Sequence, residues 1–352
     1  MAYRYTGNLE QQAYLRRIIF GGESDERCLG PRWKWQLRRG FRPGLRDNVS
    51  LEFDQLPDLT ARAPVARDGF VIPEWVWGEL MFDDIDPKSH AMREHRRRIR
   101  KWGFTYEVKD DSASISQFMR DMVIPYTERH FGEEALRCAP DDRPWGDDRA
   151  EVLLVLREDV AVAGNLIVHG ADGPVFWRVG VLGGNPEFVR QGALQAAYYF
   201  SHEHLKRHGT ARVHAGATKP FLTDGVLAYK RIWGLRMTGP WRHLFLLRVR
   251  RTDEAARSFL VNNPFVMWDG GKLVAAVFLP CDTAPAEEEL APLTRFLWPG
   301  IDHVTAFSFE PHRKVSPFHG GRDVLTRRIV IAGRRGPTPC SLRPHACRQV
   351  TG

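Results

Sequence analysis

The chain has 352 residues, 43% of them hydrophobic, and a formal charge of +8 dominated by arginine. That length buries a full core and suits two domains or one large one, and the charge fits either an anionic ligand or a solvated basic surface. Five cysteines without a CxxC pair argue against a disulfide framework or structural zinc, and no apolar run approaches the roughly 18 residues of a membrane span.

Met1 to Glu10 lacks the apolar core of a secretory signal, so the expected location is the cytoplasm. Residues 1–87 read as an N-terminal extension or a degenerate partner domain. Gln11 to Phe20 is a candidate helix, and Arg32 to Arg46 is basic and aperiodic. Val49 to Phe53 and Phe70 to Ile72 are candidate strands, and Pro73 to Leu80 is expected to pack its two tryptophans on a core.

His90 to Trp102 is a helix with arginine on nearly every face. Such a helix is either a solvated face or, through the arginine fork, a contact for a phosphorylated or polyanionic substrate, with Arg97 and Arg100 as candidates. Thr105 to Val108 is a strand. Ser112 opens a helix that buries Ile115, Phe118, Met119, Met122 and Ile124 and kinks or stops at Pro125, with Tyr126 to Phe131 continuing toward Gly132. Asp141 to Asp148 is a polar loop. Val152 to Leu156 and Val160 to His169 form a hairpin around Arg157-Glu158-Asp159, and Val175 to Leu182 adds a third antiparallel strand.

Gly183-Gly184-Asn185-Pro186 breaks that strand, and Leu194, Ala197, Tyr198 and His202 then recur at helical spacing up to Gly209. Arg212 to Ala215, Gly225 to Trp233 and His243 to Val249 follow as strand, helix and strand. Beyond Arg250, Glu254 to Leu260 is helical and Asp269-Gly270-Gly271 turns Phe265 to Trp268 into Leu273 to Leu279. Ala286 to Leu297 is helical but shortened by Pro292, and His303 to Phe309 is a strand. From Pro311 onward Gly, Pro and Arg dominate around one apolar run, Ile329 to Ala332, and partial disorder is expected. Cys340, His345 and Cys347 lack a fourth ligand nearby, so no metal site is expected; Cys28, Cys138 and Cys281 read as isolated thiols.

Two segments carry a resemblance: Arg190-Gln191-Gly192-Ala193, and Asp224-Gly225-Val226-Leu227-Ala228-Tyr229-Lys230-Arg231-Ile232-Trp233-Gly234. With the basic helix Arg93 to Phe104, they resemble the GNAT (general N-acetyltransferase) superfamily. More narrowly, they are similar to the bacterial branch of Fem-type aminoacyltransferases and CelD-like acyltransferases. The resemblance spans about Asp86 to Arg250. It implies an α/β (α+β) fold: a GNAT-like mixed sheet flanked by helices, with the N-terminal extension and a small C-terminal α/β appendage. The segments are then 1–87, an acyltransferase domain at 88–250, the appendage at 251–310 and a basic tail at 311–352.

The resemblance implies an N-acyltransferase that moves an acyl group from acetyl-CoA or another acyl-CoA to an amine. The pantetheine arm would pair with Val179, Gly180 and Val181 where two strands splay. The pyrophosphate would rest on the helix start at Arg190, Gln191, Gly192 and Ala193. Tyr229 is the implied acid and Lys230 an anion contact or an exposed surface lysine. Asp224 is a helix cap or an acceptor base, and His214 a cleft base or a core histidine. Val189 and Leu194 depart from the common loop pattern, which keeps aminoacyl-tRNA open as donor. The acceptor would be a small molecule or a cell-envelope or polysaccharide precursor. A rival reading is a non-catalytic module binding RNA or an acidic polymer, its notch filled by Trp177 or Phe221.

Overall fold

The computed structural model describes residues 3–7, 9–20, 49–56, 69–132, 149–239, 243–280, 291–309 and 327–331. The basic stretch Arg32 to Arg46, the loop Asp141 to Asp148, residues 286–290 of the helix expected at Ala286, and Cys28, Cys138 and Cys281 lie outside them. So does the tail beyond residue 310, apart from 327–331, with Cys340, His345 and Cys347.

In chain order the first elements are β1 (Tyr3–Thr6), α1 (Leu9–Phe20), β2 (Leu51–Gln55), β3 (Phe70–Pro73), β4 (Trp77–Met81), α2 (His90–Trp102) and β5 (Thr105–Lys109). Next come α3 (Ser112–Phe118), a π turn (Met119–Val123), α4 (Ile124–Phe131), β6 (Arg149–Arg157), β7 (Val160–Gly170) and β8 (Gly173–Val181). They are followed by α5 (Pro186–Gln191), α6 (Ala193–Arg207), β9 (Arg212–His214), α7 (Gly225–Ile232), β10 (Leu235–Thr238) and β11 (Leu244–Val249). The last are α8 (Glu254–Asn262), β12 (Phe265–Asp269), β13 (Lys272–Phe278), β14 (His303–Ser308) and β15 (Arg327–Ile331).

This α/β chain divides into two compact units of interleaved segments. The first takes Met1–Val76, Thr218–Ala228 and Met237–Pro339; the second takes Trp77–Ala217 and Tyr229–Arg236. The first unit holds two four-stranded sheets, ordered β1-β2-β11-β3 and β12-β13-β14-β15. Alternation along β2 sends Leu51 and Phe53 into a phenylalanine-rich core. It also places the buried carboxylates of Glu52 and Asp54 against Arg4, Arg248 and Arg250. The apolar run near residue 329 forms β15, antiparallel to β14. Among the described residues the segment around Pro292 is a 3-10 helix, Ala291–Phe296, with Pro292 in its first turn, where a missing N–H costs no helical bond.

The second unit has one seven-stranded sheet, ordered β10-β4-β9-β8-β7-β6-β5. Its hairpin turns on Glu158 and Asp159 at φ 52° and 62°, a type I′ conformation. Ala193, Ala196 and Ala197 let α6 pack closely on Leu153, Val155, Ala163 and Val181. The helix α3 and the π turn bring Ile115, Phe118, Met119 and Met122 against Val152 and Leu166. Two expectations are corrected. Trp77 is 44% exposed at the start of β4, while Trp75 is half-buried. Ile124 is half-buried and Val123 takes its place in the core. The extra residue per turn of a π helix shifts the buried face, and the helix passes through Pro125 without stopping.

Candidate functional site

The second unit opens where β8 leaves β9. The two strands run parallel but share a single pair, Val175 with His214. Two local features cause the divergence. The β7–β8 register slips between Leu166, opposite Arg178, and Ile167, opposite Phe176, so Trp177 is a bulged residue that bends and twists β8. On the other side Gly216 sits at φ 66°, a left-handed conformation that turns the chain away just after β9. Lys230 secures that turn: its buried ammonium donates to the carbonyls of Gly216 and Ala217 at 3.4 and 3.1 Å. Beyond Val175, no strand among the described residues pairs with the β9-facing edge of β8.

That edge runs through Val179, Gly180 and Val181. Gly180 is required by packing from the sheet's face. A Cβ there would come within 2.7 Å of the backbone of Met122 and Val123, so the π turn lies directly on β8. Gly184 serves the same purpose one turn later, facing the Pro125 carbonyl, and Arg129 donates to the Gly184 carbonyl at 3.4 Å. Trp177 packs against the Ile115–Met122 cluster. Phe221 is buried in the core of the first unit.

His214 is half-buried, and Glu79 stands opposite it on β4. Glu79 is buried and accepts both bonds of the Arg212 guanidinium at 2.9 and 3.1 Å; His214 Nδ1 lies 3.7 Å from its Oε1. Glu79 was invisible to the sequence reading, because its partners lie 133 residues away and β4 carries no apolar alternation. Tyr229 keeps a partly exposed ring but its hydroxyl is enclosed, and burial raises the phenol well above its ordinary value. Asp224 belongs to the first unit. There it caps α7, accepting from the Val226 and Leu227 N–H groups at 3.0 and 3.1 Å and from the Tyr14 hydroxyl at 3.2 Å.

Arg190, Gln191, Gly192 and Ala193 form the kink between α5 and α6. Gly192 at φ 97° ends one helix and begins the other. A Cβ on it would meet the Arg98 side chain at 3.0 Å, and Arg98 donates to the Arg190 carbonyl at 3.2 Å. The basic helix and the glycine kink are therefore brought together. Gln191 bridges Arg157 and Glu187, Arg190 pairs with Glu187, and Ala193 is fully buried. Arg97 is exposed and bonded to Glu94, whose carboxyl is held at about 2 by Arg97 and Arg98; Arg100 is exposed on the same side of α2. Among the described residues no group of three or more His, Cys, Asp or Glu is arranged to hold a metal, and no helix is long and apolar enough to cross a membrane.

A second polar site lies at the end of the sheet where β7 meets β8. Glu151 is buried and accepts from Arg149 at 2.9 Å, His169 at 2.9 Å and His204 at 3.0 Å. Burial alone would raise its pKa, but the two histidine bonds more than offset that and hold it at about 2.

No protein-family profile matches the chain, and no curated protein matches it. Solved structures do. L-PGS from Bacillus licheniformis aligns over 58% of this chain and 69% of its own, at 12% identity and TM-score 0.37. FemX aligns over 55% and 65%, at 13% identity and TM-score 0.35. A GCN5-related N-acetyltransferase from Anabaena variabilis aligns over 74% and 62%, at 10% identity and TM-score 0.27.

Proposed function

We propose that the second unit is an acyltransferase whose thioester donor lies along the open edge of β8. The observation that carries this is the single Val175–His214 pair, followed by a bulge on one strand and a left-handed glycine on the other. A strand edge released in this way offers N–H and C=O groups to an extended, amide-bearing arm such as pantetheine. The donor is then acetyl-CoA or another acyl-CoA, and the acceptor an amine of a small molecule or an envelope precursor.

The acceptor nitrogen attacks the thioester carbonyl carbon. The C–N bond forms, the C–S bond breaks, and the departing thiolate takes a proton. His214, with Nδ1 beside Glu79 and Nε2 3.4 Å from the Asp172 carbonyl, is the candidate base that receives the proton of the attacking amine. Tyr229 is the candidate donor to the leaving sulfur, its enclosed hydroxyl being uncovered by a turn of the partly exposed ring when donor binds. Its raised pKa keeps the phenol protonated at neutral pH and favours hydrogen-bond donation over full ionisation. Holding both partners in the opening supplies the larger part of the acceleration.

A second reading has one observation in its favour. Arg93, Arg97, Arg100 and Lys101 are exposed along α2 at helical spacing, a stripe that suits a polyanionic donor such as aminoacyl-tRNA. Calorimetry separates the two. Saturable binding of acetyl-CoA supports the thioester reading. Its absence, with tRNA binding that falls with log salt at a slope of roughly −3, as expected for three or four cations, replaces it with aminoacyl transfer. Once an acceptor is found, Tyr229→Phe is expected to lower kcat roughly 10²-fold while donor affinity is unchanged; an unchanged kcat removes Tyr229 from the chemistry.

A further inference from the structure

The second unit buries another polar set, none of it in the opening's backbone. Trp233 is its hub. His95 stacks on it at 5.2 Å between ring centroids and 14° between planes, and His202 at 5.1 Å and 23°. Tyr198 lies 5.5 Å from the indole and Tyr229 6.2 Å. Phe176 meets Tyr198 and His202 edge-on at 5.4 and 5.5 Å, so the cluster reaches the residue of β8 that has just left β9.

Four polar atoms in this cluster are enclosed, His95 Nδ1, His202 Nε2, the Tyr229 hydroxyl and Trp233 Nε1; the indole N–H is turned to the Tyr229 oxygen, and among the described residues the two histidine nitrogens have no hydrogen-bond partner. A buried polar group left unpaired costs about 1–3 kcal/mol, and the enclosed His202 Nε2 therefore demands a partner. The chemistry of the cluster is complementary. His202 Nδ1 lies 2.7 Å from the Tyr198 carbonyl oxygen, so Nδ1 carries the proton and donates, and Nε2 is left as an acceptor. The Trp233 N–H can only donate, and the Tyr229 hydroxyl does both. An acceptor nitrogen and an amphoteric hydroxyl in one apolar shell provide two of the two to four partners that a buried water requires.

We propose that these side chains enclose an internal water site, and that a water donates one proton to His202 Nε2 and the other to the Tyr229 oxygen, leaving the phenol proton free. His202 is then a positioning residue: it fixes the Tyr229 ring and proton in one orientation before donor binds. This second step rests on the reading of Tyr229 as hydrogen-bond donor to the leaving group; the water site itself does not. Burial supports the assignment, because it keeps His202 neutral and Tyr229 protonated at neutral pH.

The test is nuclear magnetic resonance on the full chain with isotope-labelled histidine, the His202 signals being assigned by His202→Gln. The expected result is the Nδ1–H tautomer, with the Nε2 resonance displaced upfield from a free acceptor nitrogen and the displacement lost in Tyr229→Phe. An Nε2–H tautomer, or a resonance unmoved by Tyr229→Phe, overturns the proposal. Should Tyr229→Phe not fold, cross-relaxation between bound water and the Trp233 indole proton in the unaltered protein is the second readout, and its absence is equally decisive. Transfer activity is scored separately. A displaced Nε2 signal in a fully active Tyr229→Phe supports the water site and removes Tyr229 from transfer; lost activity with an unmoved signal does the reverse.

Discussion

Two buried groups give stability a worked pH dependence. Burial, the dominant cause, lowers His202 from 6.5 to about 4, with the Tyr198 carbonyl bond acting weakly in the other direction. The unfolded chain therefore binds a proton that the folded chain refuses. Stability is full above about pH 6.5 and falls as pH drops toward 4, by about 3 kcal/mol in all. His95 is lowered as well, by burial and then by Arg98, with the Glu94 carboxylate acting in the other direction, and adds to the same window; Tyr126, Tyr198 and Tyr229 are raised and stay neutral throughout. Glu151 acts lower. Its pKa of about 2 against an ordinary 4.5 means that the stability it adds is present above 4.5 and is lost as pH falls through 2. Urea midpoints against pH are expected to decline in two stages, and His202→Gln to reduce the first stage to the share of His95 while leaving the second unchanged; a single decline below pH 4.5 in the unaltered protein refutes the assignment. None of this was legible in the sequence. His202 was read only as one position of a helical period, and Glu151 not at all, because the partners that give each its character come from other elements.

At the level of elements, periodicity marks the longer helices and strands of the second unit, since one-sided burial leaves its period in the chain, but not the short β4, α5 and β10. It failed where backbone meets backbone. The π turn cannot be read from a 3.6-residue period, so Ile124 was placed in the core where Val123 lies. The same turn explains Gly180, which the resemblance linked to a ligand and which the fold also needs for the approach of Met122 and Val123. Gly180→Ala is expected to lower stability by about 1–3 kcal/mol, because the obstructing atoms are main chain and cannot rotate aside. Gly183 is the useful contrast: it has open space around it and only its φ of 57° to satisfy, so Gly183→Ala is expected to lose about 1 kcal/mol. Denaturant unfolding of the two variants measures both, and equal losses would show that packing at Gly180 yields more readily than its geometry indicates.

For the whole molecule, the order of strands in space departs from their order in the chain. β4 precedes the rest of the second unit and pairs with β9, Leu80 opposite Val213, while β11 follows that unit and lies between β2 and β3 in the first. A linear reading that bounds a domain at 88 and 250 cannot register this exchange, because composition does not change where a strand crosses from one sheet to another. The exchange predicts how fragments behave. A fragment of residues 88–250 lacks β4 and with it the fully buried Leu80 and the carboxylate of Glu79, which holds Arg212. It exposes the edge of β9, a strand of three residues whose remaining sheet contact is one parallel pair with β8. It also carries β11, with Leu247 and Phe245, stripped of both neighbours. Exposed strand edges and unpaired apolar strands promote association. The expected outcome is a fragment without a cooperative urea transition that self-associates on a sizing column, whereas the full chain unfolds cooperatively. A monomeric 88–250 fragment with a sharp transition would show that β8 and β9 hold their geometry without β4, and the opening would then be a property of the 88–250 segment alone.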